Sequence, residues 1–293
     1  MQKITTHLWY DKEAKEAATF YTTLFPDSAV QKVVKITDTP SGDCDMVTFQ
    51  LAGQDFMAIS AGPIFKFNPS ISMFVVFKDE AEIDATWKAL SEGGTVLMPY
   101  DTYPWAKKYG WLNDKYGLSW QLSMSEHHDR EQKITPLLMF TQDKAGQAKS
   151  AMETYTSIFP DSKIDLVVPY EKGEGDKEGY VKHARFHLGK ENFMAMDSSG
   201  PHKFIFNEAI SFVVRCQTQE EIDEYWSKLS AVPESEQCGW CKDKYGVSWQ
   251  IVPSIMDEMM ASGDQTQIDR VTQAFLKMKK FDIAELKKAY EGK

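Results

Sequence analysis

The chain has 293 residues, of which 42% are hydrophobic and 13% aromatic, and a formal net charge of −10. This length fits two domains, and the composition is that of a globular chain able to bury a proper core rather than a disordered one. The acidic balance argues against nucleic acid or an anionic membrane as the main partner, because both surfaces would repel the chain. No apolar run approaches the roughly 18 residues of a membrane span. The segment from Met1 to His7 leads straight into patterned sequence without an apolar signal segment, so a cytoplasmic location is expected.

In chain order, Ile4, Leu8, Trp9 and Tyr10 mark a strand, and the polar turn Asp11-Lys12 opens a helix with Ala14, Ala17, Ala18, Tyr21 and Leu24 on one face. Pro26 stops that helix, and residues 30–36, 46–51 and 56–60 then read as three short strands separated by turn residues. The order is βαβββ. It recurs with a strand over 71–77, a helix over 80–90 with Ile83, Trp87 and Leu90 inward, and strand candidates at 96–97, 110–112 and 118–122.

The whole pattern then returns. Asp114-Lys115-Tyr116-Gly117-Leu118-Ser119-Trp120-Gln121 reappears as Asp243-Lys244-Tyr245-Gly246-Val247-Ser248-Trp249-Gln250, and Gly110-Trp111 and Gly239-Trp240 precede the two copies. Phe25-Pro26-Asp27-Ser28 matches Phe159-Pro160-Asp161-Ser162, and Ile83-Asp84-x-x-Trp87 matches Ile222-Asp223-x-x-Trp226. A period of roughly 130 residues is a whole duplicated domain rather than a solenoid repeat. The predicted fold is therefore α+β: a domain over 1–125 and a second over 132–255, each of two βαβββ modules, and a helical tail over 256–293. The polar stretch 123–131, which contains His127 and His128, is the linker.

The copies differ in their loops. Nineteen positions separate Ser91 from Gly110 but nine separate Ser230 from Gly239, so the first repeat carries extra residues around Tyr100 to Trp105. The second carries a charged excursion at 171–178. In the tail, Ile268, Val271, Phe275 and Met278, followed by Ile283, Leu286 and Tyr290, form two apolar stripes. Such stripes must be covered, and a homodimer to which Phe275, Met278 and Leu286 contribute is expected.

The four cysteines occupy no matching repeat positions and do not form a disulfide framework. Cys238-Gly239-Trp240-Cys241 is a single CxxC with no following helix to lower a thiol pKa, and reads as structural. His183 and His187 lie on a strand, where residues four apart are about 13 Å from one another and cannot share an ion. Gly173, Gly175 and Gly179 fall between strands in a charged stretch, not in the strand-to-helix turn that a nucleotide-like cofactor needs.

Paired βαβββ modules, the helix ending Phe20-Tyr21 and the closing Tyr-Gly-x-Ser-Trp-Gln strand resemble the vicinal oxygen chelate superfamily, which includes glyoxalase and bleomycin-resistance proteins. More narrowly, Gly200-Pro201-His202-Lys203-Phe204, residues 206–214, Gln237-Cys238-Gly239-Trp240, residues 243–253 and Leu276-Lys277-Met278-Lys279-Lys280 are similar to the PhnB-like family, also labelled 3-demethylubiquinone-9 3-methyltransferase-like. The superfamily resemblance implies a divalent metal held by first- and last-strand side chains that polarises vicinal oxygens. The matching positions here are His7, Ala58 or Ser60, Ser72 and Gln121 in repeat one, and Leu137, Ala195 or Asp197, Ser211 and Gln250 in repeat two.

Neither set is complete, and two neutral ligands, His7 and Gln121, supply no anion for a hard cation. The reading carried forward is a protein that binds a small organic ligand in an aromatic cleft lined by His7, Trp9, Trp111, Gln121, Trp240 and Gln250, without an obligatory metal or other cofactor. The alternative is a metal-dependent lyase, isomerase or dioxygenase of glyoxalase type using His7 and Gln121. Methyl transfer is disfavoured, and no reaction is assigned from the residues.

Overall fold

The computed structural model describes residues 2–125, 132–262 and 264–293, so His127 and His128 lie outside the described residues. The first module is β1 (Ile4–Tyr10), α1 (Ala14–Thr22), β2 (Ala29–Thr39), β3 (Gly42–Leu51) and β4 (Gln54–Ser60). The second is β5 (Ile71–Phe77), α2 (Glu80–Ser91), β6 (Thr95–Tyr103), β7 (Ala106–Asn113) and β8 (Ser119–Met124). The third is β9 (Ile134–Phe140), α3 (Ala148–Ile158), β10 (Lys163–Pro169), β11 (Val181–Leu188) and β12 (Glu191–Asp197). The fourth is β13 (Ile210–Cys216), α4 (Gln219–Leu229), β14 (Trp240–Lys242) and β15 (Ser248–Pro253), and three helices follow: α5 (Ile255–Ser262), α6 (Gln265–Phe275) and α7 (Ile283–Glu291). The predicted α+β order of four modules and a helical tail is what the chain adopts, with α5 an addition to the two tail helices read from the stripes.

The modules do not pair repeat by repeat. One seven-stranded sheet runs β14-β15-β13-β1-β4-β3-β2 and joins the first module to the fourth; the other, eight-stranded, runs β10-β11-β12-β9-β5-β8-β7-β6 and joins the second to the third. Within a module β1 pairs only with β4, which leaves its other edge unpaired, and an unpaired edge exposes a row of backbone donors and acceptors. The antiparallel junctions β1 with β13 and β5 with β9 close those edges. Side chains alternate along β1. On β1, Ile4, Leu8 and Tyr10 join the main core with the helices, while Thr5, His7 and Trp9 point to the helix-free face.

The motif that occurs twice is a structural staple. Asp114 is buried: its Oδ1 accepts the backbone N–H of Tyr116 at 2.8 Å and of Leu118 at 3.1 Å, and its Oδ2 accepts the Tyr21 hydroxyl at 2.6 Å and the Trp120 indole at 2.9 Å. Asp243 repeats the arrangement with Tyr245 (2.9 Å), Val247 (3.0 Å), Tyr155 (2.7 Å) and Trp249 (2.9 Å). One carboxylate thus closes the tight turn before the last strand and fastens it to the module helix opposite. The Gly-Trp pairs have a packing cause as well. A Cβ on Gly110 would stand 2.4 Å from the Trp87 ring, and one on Gly239 would stand 2.4 Å from the ring of Phe281 in the tail.

That second contact shows what the tail does. The fourth module lacks a counterpart of β6, and residues 276–281 take its place at the sheet edge: Cys238 N–H donates to Met278 O at 2.8 Å and Gly239 N–H to Lys279 O at 2.7 Å. On either side of that segment, α5 and α6 before it and α7 after it fold back over the face of the seven-stranded sheet that the module helices leave free. Met256, Met259, Met260, Ile268, Val271, Phe281 and Leu286 form one buried cluster with Ile36, Cys44 and Ala61, and Trp9, Met46, Ile59, Phe275 and Met278 pack against it. The Lys32 ammonium donates to Met260 O at 2.7 Å and the Thr37 hydroxyl to Asp269 at 2.9 Å. The stripes through Phe275, Met278 and Leu286, from which a homodimer was expected, are therefore spent inside the chain.

Candidate ligand-binding site

Six residues were expected to line one cleft, and the sheet topology divides them. His7 and Trp9 on β1, Trp240 on β14 and Gln250 on β15 belong to the seven-stranded sheet; Trp111 on β7 and Gln121 on β8 belong to the eight-stranded one. His7 and Gln121 therefore do not share a site, because the first and last strands of a repeat lie in different sheets. The strand that completes the surroundings of His7 comes from the other repeat: His7 is in register with Ser211 on one side and Met57 on the other.

The helix-free face of the seven-stranded sheet is closed by the tail. His7 is only 3% exposed, its Nδ1 is buried without a hydrogen-bond partner, and burial pushes the imidazole pKa down to about 3, so the ring is neutral. The Trp240 ring meets it edge-on at 5.5 Å. Gln250 Nε2 donates to Ser211 Oγ at 2.9 Å, and the Trp9 indole donates to Gly62 O at 2.8 Å. Arg215 on the same face donates through Nε to Asp257 of α5 at 2.6 Å and through Nη1 to Thr5 at 2.8 Å. This face is a core with polar inclusions.

Among the described residues, the tail cluster draws on the seven-stranded sheet and not on the eight-stranded one. The helix-free face of the latter carries a separate apolar cluster of Leu137, Met139 and Met194, against which the half-buried Phe74, Trp111, Met196 and Phe204 pack. Trp111 and Leu137 lie three strands apart yet belong to this one cluster, so the sheet curls around it. On the strands between Leu137 and Trp111, the Tyr109 hydroxyl donates to Gln121 Oε1 at 2.8 Å, Gln121 Nε2 donates to Ser72 Oγ at 2.9 Å, and the Trp111 indole donates to Ser119 Oγ at 2.8 Å. Burial raises the Tyr109 hydroxyl well above its ordinary range, which keeps it a neutral donor. An apolar floor with a few fixed polar groups is the usual make-up of a small-molecule site.

Tyr109, Phe74, Met194, Met196 and Phe204 were not singled out from the sequence. Tyr109 was legible as the residue before the Gly110-Trp111 pair; the methionines carry no signal by which to tell a wall from a core. His183 and His187 do lie on a strand, β11, as expected, and His187 Nδ1 is 3.1 Å from the Asp165 carboxylate. Cys241 is buried in the main core, Cys238 lies half-buried in the turn beneath the tail, and burial pushes both thiols up, away from the thiolate form.

The fold implies a metal position, and the donors at hand do not fit one. Register places Met57 and Met194 on the helix-free faces, not Ala58 and Ala195, which are buried in the main core. Ser60 Oγ accepts the Ala14 N–H, and the Asp197 carboxylate accepts the N–H groups of Gly146, Ala148 and Val181. The sets become His7, Met57, Ser211 and Gln250 on one sheet and Leu137, Met194, Ser72 and Gln121 on the other. Neither has an anionic oxygen, and among the described residues no group of three His, Cys, Asp or Glu side chains converges.

Two sheets, each joining a pair of βαβββ-type modules of which the fourth lacks one strand, define a glyoxalase-type vicinal oxygen chelate fold. A family profile described as 3-demethylubiquinone-9 3-methyltransferase matches residues 2–123 and 132–252, and the chain belongs to that family. Among solved structures, a putative 3-demethylubiquinone-9 3-methyltransferase, PhnB protein, from Bacillus cereus is 41% identical over 42% of this chain and 100% of its own, with a TM-score of 0.40. Glyoxalase I from Zea mays is 10% identical over 89% of this chain and 98% of its own (TM-score 0.52), and a mutant of the same enzyme matches 86% and 94% at a TM-score of 0.55. At such identity the likeness is one of fold alone. None of the curated proteins compared with the chain matches it.

Proposed function

We propose that this chain binds a small, flat organic molecule on the helix-free face of the eight-stranded sheet, without an obligatory metal. The observation that carries the reading is the second apolar cluster: Phe74, Trp111, Met196 and Phe204 stay half-buried around Leu137, Met139 and Met194, beside the Tyr109–Gln121–Ser72 relay. Its counterpart on the other sheet is covered by the chain's own tail, so His7, Trp9, Trp240 and Gln250 belong to a closed face rather than to the cleft. Methyl transfer has no support from the glycines, since Gly173 and Gly175 lie between β10 and β11 with no helix to follow. No helix among the described residues is long and apolar enough to cross a membrane.

The test is a fragment screen by saturation-transfer NMR on the full chain, with hits mapped by Trp111→Leu and Gln121→Leu. Aromatic hits that both variants weaken support the reading; hits insensitive to both, or weakened only by Trp240→Leu, overturn it. Elemental analysis of protein purified without a histidine tag should give far less than one divalent metal per chain. Stoichiometric metal lost in His7→Ala would return the metal-dependent reading.

A further inference from the structure

Arg185 lies on β11, in register with Met194 and, one strand further, with Leu137, so its side chain belongs to the helix-free face of the eight-stranded sheet. Its Nε–H is sealed from solvent without an acceptor, and among the described residues the guanidinium makes no hydrogen bond or ion pair. A guanidinium is always charged and carries five donors; withdrawing it partly from water without a partner is costly enough that such groups are normally paired. The other described arginines obey that rule. Arg270 donates to the carbonyls of Ala289 and Tyr290, and Arg215 donates to Thr5 and to the Asp257 carboxylate at 2.6 Å.

The comparison with Arg215 is the informative one. Each helix-free face carries one arginine among the strands of its sheet, and on the seven-stranded sheet the tail supplies the carboxylate through Asp257. Among the described residues, the eight-stranded sheet receives no part of the tail cluster, and its arginine receives no carboxylate. Two residues before Arg185, His183 shares the face; its imidazole is lowered by burial and then by the Arg185 charge, so it stands beside the guanidinium as a neutral hydrogen-bonding group.

We infer that the ligand of this face is an arene carboxylate, its carboxylate on the Arg185 fork and its ring against the Phe74, Trp111 and Met194 cluster. The inference rests on the proposal that this face is the binding site. Planar carboxylate recognition by a guanidinium fork adds direction as well as strength.

The test is isothermal titration of the full chain with benzoate, 2-naphthoate and indole-3-acetate, each against its own carboxamide. At least one carboxylate should bind about tenfold or more tightly than its amide, and Arg185→Met should remove that difference, because only the ionised acceptor gains from the fork. Without ligand, the Arg185→Met variant should melt no lower than the parent, since a thioether relieves an unpaired charge. Equal binding of acid and amide, or a preference that survives Arg185→Met, overturns the inference; so does a loss of several degrees in the melting temperature of the ligand-free variant. If acid and amide bind equally and Trp111→Leu weakens both, the site stands and the anion specificity alone falls. If no acid and no amide binds, both proposals fall together.

Discussion

Replacing Asp243 by Asn measures whether the repeated motif is a staple. The carboxylate accepts four hydrogen bonds in a buried position, two from the N–H groups of Tyr245 and Val247 and two from Tyr155 and Trp249. An asparagine can keep its carbonyl on the backbone pair, which turns its NH2 towards the Tyr155 hydroxyl and the Trp249 indole. The hydroxyl can rotate and accept; the indole N–H cannot, and one buried donor is left unsatisfied at a cost of about 1–3 kcal/mol. The backbone bonds also pass from charged to neutral acceptor, a loss of about 1 kcal/mol each. Burial pushes the Asp243 carboxyl up, so a neutral amide regains part of this. The net expectation is a destabilisation of about 2–4 kcal/mol, or a melting temperature lower by roughly 5–12 °C by calorimetry. Asp114→Asn should cost a similar amount, and the double variant should be additive within about 0.5 kcal/mol, because the two staples share no partner. A change below about 1 kcal/mol in both would refute the argument and leave the repetition without this structural cause.

Further outcomes follow from the tail and from His7. The His7 pKa is held near 3 in the fold against 6.5 for an open chain, so the unfolded state takes up a proton that the folded state refuses as pH falls below 6.5. The contribution of this residue is therefore fully present above that pH and lost towards acid at about 1.4 kcal/mol per pH unit. His7→Leu, with the residue that repeat two carries at Leu137, should flatten the fall in denaturant-measured stability between pH 6.5 and 4.5 by about 2–3 kcal/mol; an unchanged slope would place the imidazole in solvent. Leu286→Ala should cost about 2–5 kcal/mol in the same assay, since Leu286 is fully buried in the tail cluster, and a neutral result would mean that the tail is not docked as described. Gly239→Ala places a Cβ 2.4 Å from Phe281 at a left-handed φ of +80°, and should speed proteolysis of the tail while leaving the core helices protected.

The order of elements was legible because period, turn residues and the near-exact repeat all agree. Which module pairs with which was not, since the open edge of β1 is chemically alike in every module and its partner β13 lies some two hundred positions away in the chain. The cleft suffered for that reason: Trp111 and Gln121 stand in register on adjacent strands of one sheet, but His7 was joined to Gln121 across a boundary that the sheets do not respect. A slip of one residue mattered equally. Reading Ala58 and Ala195 in place of Met57 and Met194 exchanges the two faces of a strand, because side chains alternate with a period of two. Arg185 escaped notice between His183 and His187, whose spacing drew attention to metal chemistry, although the same alternation puts all three on one face.

The unequal fate of the two faces follows from connectivity. Sequence beyond β15 is free to fold back, and it does so over the sheet that contains β15, filling the edge left by the missing strand and presenting Asp257 to Arg215. The corresponding strand of the first repeat, β8, ends at Met124, and β9 begins at Ile134 on the far side of β5 in the same sheet. Duplication in one chain therefore leaves one of two similar clefts to be filled by its own terminus. The other has Phe204 laid against it and Arg185 without a carboxylate among the described residues, and the proposed arene carboxylate would supply one.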